Sequence, residues 1–504
     1  MGFRILAQLL LLSIVALPLL ARPRTTMQTA LIRNVLLPNK SPLITFRLLF
    51  MSGSAYDPQG KEGVATLTAA MLAQGGTRQL SYDQIVNEMY PLATSFDWQV
   101  DKEMTVFTGT THLDNLDKYY SLISQMLLEP GFREDDFKRL RTDAVNYLKV
   151  TLRGGNDEEL GKEVLYRMIY NDAHPYGHQN RGDVSSLEAL TVNDVREFYR
   201  TNFTQAKLVI GLAGSYPSSF PAKMGSDFHK LPPGRPMTAG FPQAELDPGI
   251  KIQIIQRETR STAMSLGFPL AINRSHKDWP ALALVTSYFG EHRSSNSHLY
   301  QRLREARGLN YGDYAYIEYF PRGMFQFVPD PNLGRQQQIF QIWIRPVEPQ
   351  NGLFTLRAAL YEYEKLVREG LSKEAFEATR TFLMKYVNVL TKTQDAQLGY
   401  ALDSDYYRIS TFTSHMREAL ASLTLEDVNA AIRKYLKSDS MRIAIVTKDA
   451  PGLKAALLSD QPSPIKYNSP KPPEVLEEDK VIQVYKLKLK PSDVVVVPVD
   501  QVFQ

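Results

Sequence analysis

The sequence predicts an α+β protein made of two homologous halves, each an α/β layer, joined by an extended linker. Three observations carry that reading. LEPGFREDDFKRLRT (128–142) matches VREGLSKEAFEATRT (367–381), with Phe137 and Phe376 239 residues apart. LTVNDVREFYRTNFTQAKLVIGLAG (190–214) matches LTLEDVNAAIRKYLKSDSMRIAIVT (423–447) at an offset of 233. Two matches in one order at nearly one offset are the mark of a duplicated unit. Strands and helices are also mixed without the strict βαβ alternation that a doubly wound sheet requires.

The elements follow in order. Residues 1–22 (MGFRILAQLLLLSIVALPLLAR) have one early Arg4, an apolar run broken by Gln8 and ended by Pro18, and a small residue at Ala21. That is the pattern of a secretory signal, short for a membrane span. The N-terminal half is expected at 25–214. ITFRLLFMSG and MTVFTGTTHL read as strands, EGVATLTAAML, LDKYYSLISQMLL and EELGKEVLYRMIY as helices. The stretch 215–249 is rich in Pro, Gly and Ser and reads as an extended linker. The C-terminal half, 250–457, repeats the alternation. KIQIIQRETRSTAMSLGFPL, GMFQFVPD and IFQIWIRP read as strands, PALALVTSYFG and LFTLRAALYEYEKLVREG as helices. Residues 458–504 form a Pro-rich tail ending in VIQVYKLKLK and VVVVPVDQVF, both strand-like. Free, VVVVPV would aggregate, so it is expected to pack on the body.

Composition excludes several classes of function. The 504 residues carry a net charge of only +4, which gives no bulk reason to bind nucleic acid. The absence of cysteine removes disulfides, thiolate catalysis and thiolate metal sites. An exported chain stabilised by its cores alone fits the periplasm of a Gram-negative-type bacterium or the cell exterior. No P-loop, G-x-S-x-G elbow or S-x-x-K motif is present. His174 and His178 are separated by Pro and Gly, so they cannot share a helical face. With His292 and His298 they read as turn or surface residues rather than ligands.

The order of GSAYDPQGKEGVATLTAAMLAQGGT (53–77), LLEPGF (127–132), HPYGHQNRGDVSSLEALTVNDVREFY (174–199), YFGEHRSSNSHLYQRLREARGLNY (288–311) and LVREGLSKEAFEATR resembles the pitrilysin or insulinase-type metallopeptidases, the inverzincins. The resemblance implies a processing-peptidase-like fold whose halves enclose a peptide chamber. In that family H-x-x-E-H on the first helix binds zinc and holds the general base. Here the motif falls on Thr66, Ala69 and Ala70, and the third ligand position falls near Asn146. No His occurs before 112, so no shift of register restores the site. The resemblance therefore implies that this chain binds no metal. The family's second half contributes an Arg and a Tyr seven residues apart. Arg304 and Tyr311 stand at that spacing, with Arg307 as the competing arginine.

Such a chain is similar to the non-catalytic subunit of a heterodimeric processing peptidase. It would supply Arg304 and Tyr311 in trans to a homologous partner that carries the zinc. Peptide would lie extended along a strand edge, for which 104–113 is a candidate. The alternative is a catalytically inactive periplasmic binding or assembly protein that kept the fold.

Overall fold

The computed structural model describes residues 32–236, 240–291, 295–321 and 329–504. The signal segment, His292 and most of the 323–330 strand reading lie outside these residues.

Two sheets carry the architecture. The first contains β1 (Arg33–Pro38), β2 (Leu43–Phe50), β3 (Asp97–Val100), β4 (Thr105–His112) and β5 (Leu208–Gly214), in the order β1-β5-β2-β4-β3. The second contains β6 (Gly249–Gln256), β7 (Thr262–Leu270), β8 (Gly312–Tyr316), β9 (Gln338–Val347), β10 (Ser440–Thr447) and β11 (Val494–Pro498), in the order β11-β6-β10-β7-β9-β8. Without β11 the two are the same sheet. In each, the first strand pairs parallel with the last, and the other pairs are antiparallel. The duplication read from two sequence matches is a duplication of topology.

Those matched segments touch each other, and in the same way in both halves. Thr191 and Thr424 each cap a helix with a reciprocal box: Asp194 N–H donates to Thr191 Oγ1 at 3.3 Å, and Asp427 N–H to Thr424 Oγ1 at 3.2 Å. Each Asp carboxylate accepts from the Thr backbone N–H in return. Arg141 donates to the Leu190 carbonyl at 3.1 Å, and Arg380 to the Leu423 carbonyl at 3.2 Å. Each guanidinium also lies over its own buried Phe, Phe137 or Phe376.

The halves cover each other's sheets. The helix Asp157–Tyr170 of the first half packs on β7 and β10 of the second, and the helix Gln394–Tyr407 packs on β5, β1 and β2 of the first. Leu398 and Leu402 thus close a cluster with Leu49, Val106 and Val209. Each fully buried side chain of this kind contributes roughly 1.5–3 kcal/mol.

Two expectations need correction. The linker is extended only after residue 228. Within it, Phe220–Phe228 is a helix because Phe220, Met224 and Phe228 recur on one face and all enter the first core. In the tail, VVVVP does form a strand, parallel to β6. VIQVYKLKLK does not: its first two residues end the helix Pro473–Ile482, and the rest forms no strand. The tail then crosses to the first half, where the Val184 and Ser185 N–H groups donate to the Phe503 and Gln504 carbonyls. Among the described residues, no helix is long and apolar enough to cross a membrane.

Candidate functional site

The segment EGVATLTAAML folds as the helix Val64–Gln74. Asp57 caps it, accepting from Gly63 N–H at 2.7 Å and Ala65 N–H at 2.8 Å. His178 donates to the same carboxylate at 3.1 Å. Two glycines let the 174–183 loop cross this helix start. Gly63 (φ +94°) would place a Cβ 2.2 Å from the Arg181 carbonyl, and Gly182 (φ +84°) one 2.1 Å from the Glu62 carbonyl. That close crossing sets Asn180 and Arg181 beside Thr66.

The helix face expected to correspond to the ligand positions is mostly packed. Ala69 is wholly buried, Ala70 nearly so, and only Thr66 reaches a cavity of about 170 Å³. The Thr66 hydroxyl donates to the Asn180 carbonyl. Near the expected third-ligand position, Asn146 is exposed and its neighbour Tyr147 lines the cavity instead, on the wide helical turn Tyr147–Leu152. Arg181 lies over the Tyr147 ring at 4.1 Å. Alanine offers no donor atom, and a threonine hydroxyl already committed to a carbonyl is a poor neutral ligand. These residues do not fit zinc. Among the described residues, no group of three or more His, Asp or Glu is placed to hold a metal ion.

Other cavity residues were not singled out from sequence. Glu159 and Glu163 come from the Asp157–Tyr170 helix, Trp98 and Gln99 from β3, and Tyr319 from the second half. Burial pushes the Glu163 carboxyl up to about 7, although the Lys102 charge pulls the other way. Burial pulls the Lys102 ammonium down to about 8, and its Nζ donates to the His178 carbonyl. The Glu159 and Glu163 spacing, i and i+4 on one amphipathic helix, was the available signal, but it is also the commonest pattern of a solvated face.

The strand-edge expectation is corrected for part of its length. Residues Thr105–Thr108 are interior, paired to β2 on one side and β3 on the other, whereas Gly109–His112 run past β3 and pair with β2 alone. The edge strands of this sheet are β1 and β3. Gln99 on β3 donates to the Pro331 and Asn332 carbonyls at 3.3 and 3.2 Å, so the chain's own second half lies against it.

Arg304 and Tyr311 do come together. The Arg304 guanidinium stacks between the Tyr300 and Tyr311 rings, at 4.6 and 4.5 Å, and donates to the Tyr311 carbonyl at 3.1 Å. Arg304 lies on a second wide turn, Tyr300–Glu305, and Tyr311 immediately precedes the outermost strand β8. Tyr311 is 61% exposed. Neither residue lines the Thr66 cavity. Arg307 is excluded from their role: it is buried, donating at 2.8 Å to Asp479 and at 2.6 Å to Glu478.

The histidines are anchored rather than loose. His174 donates through Nε2 to the Pro242 carbonyl at 2.6 Å and accepts the Tyr176 N–H at Nδ1. His298 bridges the Tyr288 hydroxyl and Glu362. His174 and His178 lie in the turns of the 171–178 loop, the first buried and the second half-buried, whereas His298 lies at a helix start and is half-buried.

Comparison with known proteins agrees with this geometry. The family profile described as Insulinase (Peptidase family M16) matches residues 34–173, and that described as Peptidase M16 inactive domain matches 189–383. An uncharacterized zinc protease of Streptomyces coelicolor is 23% identical over 49% of this chain and 53% of its own length. One from Mycobacterium bovis is 22% identical over 44% and 52%. The chain thus spans about half the length of these relatives. A Bacillus subtilis protein named as a probable inactive metalloprotease is 21% identical over 71% of this chain and 79% of its own. The peptidase M16 inactive domain from Pseudomonas fluorescens superposes with a TM-score of 0.72 at 22% identity, covering 82% of this chain and 94% of that one. The first half of the periplasmic protease PqqL from Escherichia coli gives 0.63 at 14% identity, covering 91% and 96%. With family matches over 34–173 and 189–383 and its two-half α+β fold, this chain belongs to the insulinase (M16) peptidase family as a non-catalytic member.

Proposed function

We propose that this chain is the non-catalytic, peptide-binding subunit of an exported zinc metallopeptidase heterodimer. Its homologous partner carries the zinc, and this subunit contributes Arg304 and Tyr311 across a shared chamber. One observation carries the reading: the helix face of Ala69 and Ala70 is packed, with only Thr66 at a cavity, whereas Arg304 and Tyr311 are held as a stacked, solvent-facing pair outside that cavity. A pair kept for its own site would face that site. A pair presented outward suits a substrate carbonyl held on another subunit. The PqqL likeness, a half-protease from a periplasmic enzyme, supports export and assembly with a second half.

The test is reconstitution with the zinc-bearing partner. Arg304→Ala or Tyr311→Phe lowers the peptidase rate about 10²-fold, the scale of losing an oxyanion donor, with the partner's zinc content unchanged. If both variants run at full rate, the contribution in trans is wrong, and a binding or assembly protein on the same fold is the reading left.

A further inference from the structure

The turn that carries Arg304 is gripped by the tail. Arg302 stands on the same wide turn, Tyr300–Glu305, and Arg307 follows it directly. Both reach Glu478 on the tail helix Pro473–Ile482, Arg302 through Nη2 and Arg307 through Nη2 at 2.6 Å. Arg307 also donates through Nε to Asp479 at 2.8 Å and through Nη1 to the Arg302 carbonyl at 2.8 Å. One buried guanidinium thus holds the backbone of the turn with one nitrogen and the tail helix with the other two.

The same carboxylates are themselves braced. The Tyr467 hydroxyl donates to Asp479 at 2.7 Å. Arg302 is held a second time, donating through Nε at 2.8 Å to Glu362 of the helix Gly352–Glu369, whose other oxygen lies 2.8 Å from His298 Nε2. Arg304 has no such anchor. Its contacts are the Tyr300 and Tyr311 rings, the Tyr311 carbonyl and a 3.9 Å approach to its neighbour Glu305. Stacking of that kind sets the guanidinium against the two rings but leaves the place of the whole turn to its flanking ion pairs. Charge-assisted bonds to arginine fix geometry as well as energy, and wide helical turns recur at functional sites.

Resting on the reading of Arg304 as a group that acts in trans, we propose that Glu478 of the tail helix is a positioning residue for it, acting through Arg302 and Arg307. The tail then has a task besides covering β6: it sets where Arg304 is presented. A displacement of about 1 Å at a substrate-positioning group lowers a rate as much as 10²-fold, so the hold on the turn is felt in the chemistry.

The test has two arms. In the full chain alone, carbon-13 labelled at arginine, the Arg304 side-chain resonances are shifted by the two tyrosine rings and are assigned by their loss in Arg304→Ala. Glu478→Ala moves them toward the values of a free arginine. Glu477→Ala, which removes an exposed carboxylate of the same helix that pairs with Lys480, leaves them in place. In the complex reconstituted with the zinc-bearing partner, Glu478→Ala lowers kcat about tenfold with KM within about twofold, and lowers kcat no further in an Arg304→Ala chain. Circular dichroism checks folding, and if Glu478→Ala is unfolded, Glu478→Gln, which keeps the shape and removes the charge, takes its place. Unmoved Arg304 resonances in the folded variant, or kcat losses that multiply in the double variant, overturn the proposal. If Arg304→Ala itself runs at full rate, the role in trans fails on its own, and the resonances decide whether Glu478 holds Arg304.

Discussion

At the scale of single residues, the Arg304–Tyr311 pair is bordered by an unusual carboxyl. Asp313, two residues beyond Tyr311, is 1% exposed, and its Oδ2 has no hydrogen-bond partner. Burial pushes the acid up to about 8, while the Asn310 hydrogen bond and the Arg304 charge pull the other way. The folded value lies above the ordinary 3.8, so the folded state holds a proton that the unfolded chain releases. Stability should therefore be highest below about pH 4 from this group and fall as pH rises through about 8. The loss is on the order of a few kcal/mol. Asp313→Asn removes the ionisation, so the urea midpoint of the variant should be higher at pH 8 and flatter between pH 5 and 8. An unchanged slope would mean that Asp313 is already ionised in the fold. Sequence spacing alone left Arg304 and Arg307 in competition. Burial separates them, because Arg307 is spent on Asp479 and Glu478, residues 172 and 171 positions away that no local pattern connects to it.

At the scale of elements, the tail is a strap. β11 fills the outer edge of β6, and Val494, Val502 and Phe503 are all buried. Arg153 of the first half donates to the Val502 carbonyl at 2.5 Å. Removing residues 494–504 takes away three buried apolar side chains, about 5 kcal/mol in all. The thermal midpoint should fall by about 10 °C, measured by differential scanning calorimetry. A fall of only about 1–2 °C would show that the strap holds little. Helices were legible in the sequence wherever capping and 3.6-residue periodicity agreed, as at Thr191 and Thr424. VIQVYKLKLK misled because alternating Lys and apolar residues match a strand's period without any neighbouring strand to pair with. VVVVP found one.

At the scale of the whole molecule, the halves are clasped by exchanged helices and by ion pairs between them. Arg335 of the second half grips Asp101 of the first through two hydrogen bonds, at 2.7 and 2.6 Å, and both are buried. Arg47 does the same to Asp395 at 2.9 and 2.7 Å. Arg335→Leu leaves the Asp101 charge buried and unpaired, and should cost about 3–5 kcal/mol. Because the lost contact joins the halves, urea unfolding followed by tryptophan fluorescence should broaden or split into two transitions. A single transition at the original midpoint would show that the clasp does not depend on this pair.

The duplication, the α+β class, the absence of any His before 112 and the Arg–Tyr spacing were all written in the linear order of residues. Each depends on local periodicity, capping or short spacing, which survive being read one residue at a time. Which strand forms the edge, which glutamates enter the cavity and which way Arg304 faces depended on tertiary contacts. β3 is an edge because Thr105–Thr108 of β4 are paired on both sides, and Glu163 is half-buried because its helix lies under the other half's sheet. Those facts arise from contacts between residues hundreds of positions apart, where burial rather than residue type sets the chemistry.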